Sequence, residues 1–159
     1  MTGMTSMTGT TGWGQIIAAI GIALGGEPER GRHMMLACWN ATAESDFAQR
    51  CVLAHYLADT EAVLDDEVSW DERALAAFAH VGKDDLAAIG IPDAAGLAPS
   101  LHLNLGDGYL RQHRPAEARV QLDAGLAAAG VLGADGYGTL IRDGLERLAG
   151  RIADVRQAQ

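Results

Sequence analysis

Three residues with chemically useful side chains, Cys51, His55 and Asp59, are spaced four residues apart. Residues at this spacing lie on one face of a helix, so a thiol, an imidazole and a carboxylate would form a stripe. The stripe could contact a ligand, or it could belong to a metal site completed by His33 or Cys38. A closed zinc site takes four ligands and one helix offers only two good ones here, so we favour partner contact or ordinary packing.

A catalytic role for Cys51 and His55 finds little support. A thiol nucleophile needs a base, a group that orients the base, and donors that stabilise the developing oxyanion. Neither an orienting group nor such donors can be named, and the sequence has no Gly-x-Ser-x-Gly, His-Glu-x-x-His or Cys-x-x-Cys pattern. We therefore predict that the protein is not an enzyme and uses no cofactor.

The segment 59–72 holds seven acidic side chains and no basic one. Carboxylates suit the positive end of a helix, so a solvated loop and helix start is the preferred interpretation. The alternative is a docking patch for a basic segment of a partner. A calcium loop is disfavoured, because the alternating ligands and central glycine of such a loop are missing. The seven residues are Asp59, Glu61, Asp65, Asp66, Glu67, Asp71 and Glu72.

Charge and composition argue against several classes of function. The 159 residues, 48% of them hydrophobic and 21% charged, suffice for one domain with its own core. The net charge is −9, and residues 1–97 carry 5 basic against 14 acidic side chains. Such a surface repels phosphate backbones and anionic lipids, so neither nucleic acid nor a membrane is an expected partner.

The expected location is the cytoplasm. No apolar stretch reaches the roughly 20 residues that cross a bilayer, and the run 16–24 lacks the flanks of an export signal. Cys38 and Cys51 each lie inside an apolar helical pattern. Two buried thiols without an export signal indicate a reduced, cytoplasmic protein.

The pattern along the chain predicts an all-α protein. Ala and Leu are abundant, β-branched and aromatic residues are sparse, and apolar residues recur every three or four positions. Residues 1–12, MTGMTSMTGTTG, predict a disordered tail in which Met4 or Met7 could equally be the true start. A single helical domain follows over 13–157, with hairpins at about 13–40, 44–80 and 100–129, an irregular insertion at 81–99 and a last helix at 137–153.

Residues 103–122, LNLGDGYLRQHRPAEARVQL, resemble a tetratricopeptide repeat. Gly106 and Ala118 match the small residues at which the two helices of that repeat cross. Tyr109 and Leu122 match the large residues that fill the space beside the crossing.

Two weaker copies precede this repeat. Ala19 and Ala54 occupy the position of Gly106 and lie 35 residues apart, which suits a repeat of roughly 34 residues. The next interval, 52 residues, equals one repeat plus the insertion 81–99. The resemblance implies an all-α, right-handed array of about three hairpins with a C-terminal capping helix. The phrases HYLAD and DGYG are similar to short actinobacterial tetratricopeptide-like proteins, a likeness that implies a fold and no activity.

The resemblance also implies where a partner would bind. In this family the first helix of each hairpin lines a concave face that holds an extended peptide, and Asn104 resembles an asparagine often used there. Leu103 and Cys51 stand where a clamp for a C-terminal carboxylate would need lysines. The expected partner-binding residues on the concave face are Cys51, His55, Asp59, Asn104, Asp107 and Arg111.

We therefore predict a scaffold or adaptor module that binds a protein or peptide. The alternative is a small-molecule or metal-binding protein centred on Cys51 and His55. Small repeat arrays expose apolar ends, and Trp13 and Trp39 near one end favour a homodimer.

Overall fold

The computed structural model of the protein describes residues 12–158, so the predicted tail, except Gly12, lies outside the described residues. Over this range the chain forms seven α-helices and three short 3-10 segments without any strand, which confirms the predicted all-α class. None of these helices combines the length and apolar character needed to cross a bilayer. The helices are α1 (Trp13–Leu24), α2 (Pro28–Ala41), α3 (Phe47–Ala58), α4 (Leu64–Phe78), α5 (Ala98–Arg111), α6 (Pro115–Ala128) and α7 (Gly136–Gln157).

Several helix starts follow from single residues. Pro28 and Pro115 occupy the first turn of α2 and α6, where the missing N–H leaves no hydrogen bond unmade. Asp135 caps α7, because its side chain accepts a hydrogen bond from the Gly138 N–H at 2.9 Å.

Two helices begin at other positions than the sequence pattern indicated. The third was expected near residue 44 but starts at Phe47, because the Asp46 carboxylate accepts a hydrogen bond from the Ala43 N–H at 2.8 Å and closes a turn. The apolar pattern of the second hairpin predicts that its second helix starts at about Glu67, but this helix starts at Leu64, directly after extended backbone at Val63. The insertion, for which the sequence predicts irregular chain, contains two 3-10 segments, at 87–89 and 94–97.

The most extensive helix contacts are those between α1 and α2, α3 and α4, and α5 and α6. In the third pair, a Cβ built on Gly106 would lie 2.9 Å from Leu148 Cδ2 of α7 and 3.3 Å from Gln121 Cβ of α6, so Gly106 lies close to both helices. In the first pair, a Cβ on Gly31 would lie 2.6 Å from the Ala23 Cα. The closest approach there is therefore at Ala23, one turn after Ala19.

The core consists of two clusters that meet at α4. The first is built mainly from α1–α4 and includes the fully buried Leu86, which anchors the insertion. The second is built mainly from α5–α7, and Leu75 of α4 packs against both. Trp13 and Trp39 are partly buried against the first cluster, so they do not form the exposed apolar end on which the homodimer prediction rested.

Candidate binding groove

An open groove of about 940 Å³ is lined by residues of α1, α3 and α5. Its volume falls within the range of ligand pockets, roughly 300–1,000 Å³. Two connecting segments and the start of α7 complete its walls. The lining residues are Ile16, Ile17 and Ile20 of α1; Val52, His55, Tyr56 and the adjoining Asp59; Ile89–Asp93, Gly96 and Leu97 of the insertion; Ser100 and Asn104 of α5; and Val131–Gly133, Asp135, Tyr137, Leu140 and Ile141.

The walls of the groove are largely aliphatic and partly uncovered. Ile17 of α1 is 48% exposed, and Leu140 of α7 is 60% exposed. Val131 and Tyr137, which also line the groove, are exposed as well. These aliphatic side chains are therefore available to contact an occupant of the groove.

A polar pair, His55 and Asn104, lies among these apolar walls. His55 is 9% exposed, and its Nδ1 accepts a hydrogen bond from the Asn104 side-chain amide at 3.5 Å. Burial lowers the pKa of His55 to about 4, so the ring is neutral at pH 7. With Nδ1 accepting, the proton sits on Nε2, and no residue among 12–158 accepts a hydrogen bond from it.

A second polar pair joins α5 to α7. The buried Ser100 hydroxyl is hydrogen-bonded to the phenol of Tyr137. Tyr56 of α3 lines the same groove, and burial, with Tyr137 and Asp59 as lesser causes, raises the pKa of Tyr56. Residues from three helices therefore bring hydroxyl groups to the groove.

Asp59, at the end of α3, supplies a carboxylate to the groove. Partial desolvation, and then the negative charge of Glu67, raise its pKa, although the residue remains exposed. Asp93 and Asp135 also line the groove, but each accepts a hydrogen bond from a nearby backbone N–H at 2.9 Å. No Lys or Arg of the described residues lines the groove.

Cys51 does not lie in the groove, contrary to the expectation from its spacing. It is fully buried in the first core cluster, because Cys51, Val52, Leu53, Ala54 and His55 are all buried and α3 is packed on more than one side. Burial raises the pKa of its thiol to about 12. Residues 12–158 contain no cluster of three or more His, Cys, Asp or Glu side chains placed to hold a metal ion.

Asp107 and Arg111 are also absent from the groove lining. They lie one and two turns beyond Asn104 on α5, where Arg111 Nε donates to Asp107 at 2.8 Å and the guanidinium also pairs with Glu67 of α4. These two residues therefore connect helices, and they leave the groove to His55, Asp59 and Asn104.

A buried carboxylic acid, Asp71 of α4, adjoins this ionic network. It is 4% exposed, and burial, followed by the negative charge of Glu67, raises its pKa to about 8. Arg111 acts in the opposite direction and lowers the pKa of Asp71. Most Asp71 side chains are consequently protonated at pH 7.

Four members of the acidic run 59–72 have hydrogen-bond partners within the chain. Asp65, Asp66 and Glu67 occupy the first turn of α4, where the helix dipole stabilises negative charge. The members with partners within the chain are Glu61, which accepts from Trp70 and Arg32, Asp65 from Gln112, Glu67 from Arg111, and Glu72 from Tyr109.

Several groove residues were not identified from the sequence. Ile17 and Ile20 lie in the predicted hairpin 13–40, segment 89–97 lies in the predicted insertion 81–99, and segment 131–135 lies between the predicted hairpin 100–129 and the last helix. Tyr56 and Tyr137 lie within the HYLAD and DGYG segments, and these segments are the feature of the sequence that could have identified the two tyrosines.

No protein-family model, curated protein or solved structure matches this chain. Because a fold by itself does not determine a function, the groove and its side chains are the features that bear on what the protein does.

Proposed function

We propose that the protein is a binding module whose groove holds an apolar segment of a partner protein. The observation that carries the proposal is the groove of about 940 Å³, in which exposed aliphatic side chains surround a small set of polar groups. Binding sites typically combine an apolar lining with a few polar groups that fix orientation.

The proposed scaffold is a right-handed array of three tetratricopeptide-like hairpins capped by α7. Support comes from the pairing of α1 with α2, α3 with α4 and α5 with α6, and from the close approach at Gly106. The groove draws its lining from the first helix of each pair, which is the side that the family uses for peptides.

The groove offers two kinds of contact to an extended segment. Ile17 and Leu140 can cover aliphatic side chains of the partner, each worth roughly 1.5–3 kcal/mol when fully buried. The Nε2–H of His55 and the carbonyl oxygen of Asn104 can pair with backbone groups. Because ordering the segment offsets much of this gain, we expect modest affinity.

In this proposal the chain has no catalytic activity of its own and uses no cofactor. A cytoplasmic, reducing compartment suits the two buried thiols, Cys38 and Cys51. A homodimer remains a prediction, which sedimentation at micromolar concentration tests.

Selection from a displayed library of random decapeptides tests the proposal. The selected peptides should bind in solution, and Ile17→Asp or Leu140→Asp should weaken binding at least tenfold. The matched control is Val120→Asp, because Val120 is 63% exposed on α6 and does not line the groove. Equal weakening by all three substitutions, or by none, would contradict binding in the groove.

A small apolar molecule with a polar head is the second candidate. The pairs His55–Asn104 and Ser100–Tyr137, both set in aliphatic walls, favour it. Native mass spectrometry of the protein purified under mild conditions tests this candidate. A small molecule that remains bound to Val120→Asp and is absent from Leu140→Asp would favour the small-molecule candidate over the peptide.

A further inference from the structure

Asp59 differs from the other carboxylates of the groove in having no hydrogen-bond or ion-pair partner among residues 12–158. Asp93 and Asp135 each accept a hydrogen bond from a backbone N–H of the adjacent helical turn. No hydrogen bond or ion pair joins the Asp59 side chain to any residue among 12–158. Its negative charge is therefore open to an occupant of the groove.

The surroundings of Asp59 increase the effect of this charge. The groove lining of the described residues includes no Lys or Arg, and the charge that adds to the rise in the pKa of Asp59 is the negative carboxylate of Glu67. Arg111, the basic residue close to Glu67, already pairs with Glu67 and Asp107.

Tyr56 provides a second feature suited to a cation. It precedes Asp59 by three residues and lines the same groove, and the negative charge of Asp59 contributes to the raised pKa of Tyr56. A cation between a carboxylate and an aromatic ring gains from both, because the face of the ring is negative.

Covering Asp59 with a purely apolar occupant would be costly. A carboxylate that loses water without gaining a partner is penalised by desolvation, whereas a charge-assisted hydrogen bond compensates for this loss. An anionic occupant would add repulsion from Asp59 and Glu67.

We infer that the partner segment is basic as well as apolar, and that it places a lysine or arginine side chain against Asp59 while its aliphatic side chains fill the groove. This inference rests on the proposed function, since it names the chemistry of the segment that the groove binds. The acidic run 59–72 thus contributes one residue, Asp59, to recognition.

Selection of random decapeptides on three forms of the protein tests the inference. The wild type should enrich peptides that carry aliphatic residues together with Lys or Arg. Asp59→Asn should keep the aliphatic preference and lose the basic one, and Asp59→Lys should prefer Asp or Glu. Asp143→Asn, which removes an exposed carboxylate of α7 outside the groove, should behave as the wild type.

Binding measurements on single selected peptides give the size of the effect of the basic residue. Replacing the selected basic residue with glutamine should weaken binding to the wild type roughly five- to tenfold, and to Asp59→Asn less than twofold. The difference should shrink at 0.5 M NaCl, because screening weakens an ion pair at the edge of a groove.

The outcomes separate the inference from the proposed function. Aliphatic peptides selected without basic residues would overturn the inference and leave the peptide-binding groove standing. Failure to enrich any peptide would overturn both. A protein that sediments as a dimer and becomes a monomer in Leu140→Asp would assign the groove to a second copy of the chain, which also overturns the inference.

Discussion

The carboxylate of Asp107 accepts a hydrogen bond from the guanidinium of Arg151 at 2.6 Å and thereby joins α5 to α7. Its other oxygen accepts from Arg111, which also pairs with Glu67 of α4. One carboxylate therefore helps to hold together three helices beside the groove. The side chain of Asp107 is 32% exposed and that of Arg151 is 47% exposed, so solvent screens each pair and limits its contribution.

Replacing Asp107 with asparagine should lower the free energy of unfolding by about 0.5–1 kcal/mol, because both ion pairs are lost. Urea unfolding at low salt measures the change. Asp123→Asn is the matched control, since among residues 12–158 Asp123 pairs only with Arg119, four residues earlier on the same helix. This substitution should cost about 0.3 kcal/mol. Equal effects would show that Asp107 does not connect the helices.

Asp71→Asn should change how stability depends on pH. The pKa of Asp71 rises from about 3.9 in an unfolded chain to about 8 in the folded protein. Between these values the folded protein binds more protons than the unfolded chain, so this group makes stability fall as pH rises through the window. The slope is at most about 1.4 kcal/mol per pH unit.

Unfolding of the wild type and Asp71→Asn by urea at several pH values between 4 and 9 measures this effect. The variant should gain stability relative to the wild type as pH rises, and the difference should level off above pH 8. Parallel curves would mean that the Asp71 carboxyl group does not hold its proton in the folded state.

His55 should produce the opposite slope at lower pH. Its pKa falls from about 6.5 in an unfolded chain to about 4 on folding, so the unfolded chain binds more protons between these values. The stability that depends on neutral His55 is fully present above pH 6.5 and is lost as pH falls through 4. His55→Gln keeps a polar side chain beside Asn104 and should remove this loss. The difference between the free energies of unfolding of His55→Gln and of the wild type, measured as a function of pH, checks this prediction.

A methyl group at Gly31 should separate α1 from α2. The Cβ would lie 2.6 Å from the Ala23 Cα, so the helices must move apart, at a cost of roughly 1–3 kcal/mol or more. Gly21→Ala is the control, because nothing lies within 4 Å of that position and alanine favours the helix by up to about 1 kcal/mol. Thermal unfolding should therefore shift in opposite directions in the two variants.

Most helix positions could be predicted, because the signals that define them are local. Apolar residues at three- and four-residue spacing mark the helices, and prolines such as Pro28 and Pro115 mark their first turns. The start of α3 was predicted too early, since the turn that Asp46 closes with Ala43 depends on a side-chain hydrogen bond.

The groove could be predicted only in part. His55, Asp59 and Asn104 were identified from helical spacing and family resemblance, and they do line the groove. Cys51 has the same spacing and is buried, because spacing groups residues on one face without indicating what covers that face. Segment 89–97 lines the groove because it packs beside α1 and α3. No local sequence pattern predicts this tertiary placement.

The groove draws its walls from parts of the chain as distant in sequence as Ile17 and Leu140. An occupant that contacts both residues binds the folded chain and not the unfolded one. By mass action it therefore shifts the folding equilibrium towards the folded state. At a concentration one hundred times its Kd, such an occupant adds about 2.7 kcal/mol to the free energy of unfolding. Proteases that act on opened chains would then remove the unoccupied protein first, and cellular abundance would follow the supply of the partner.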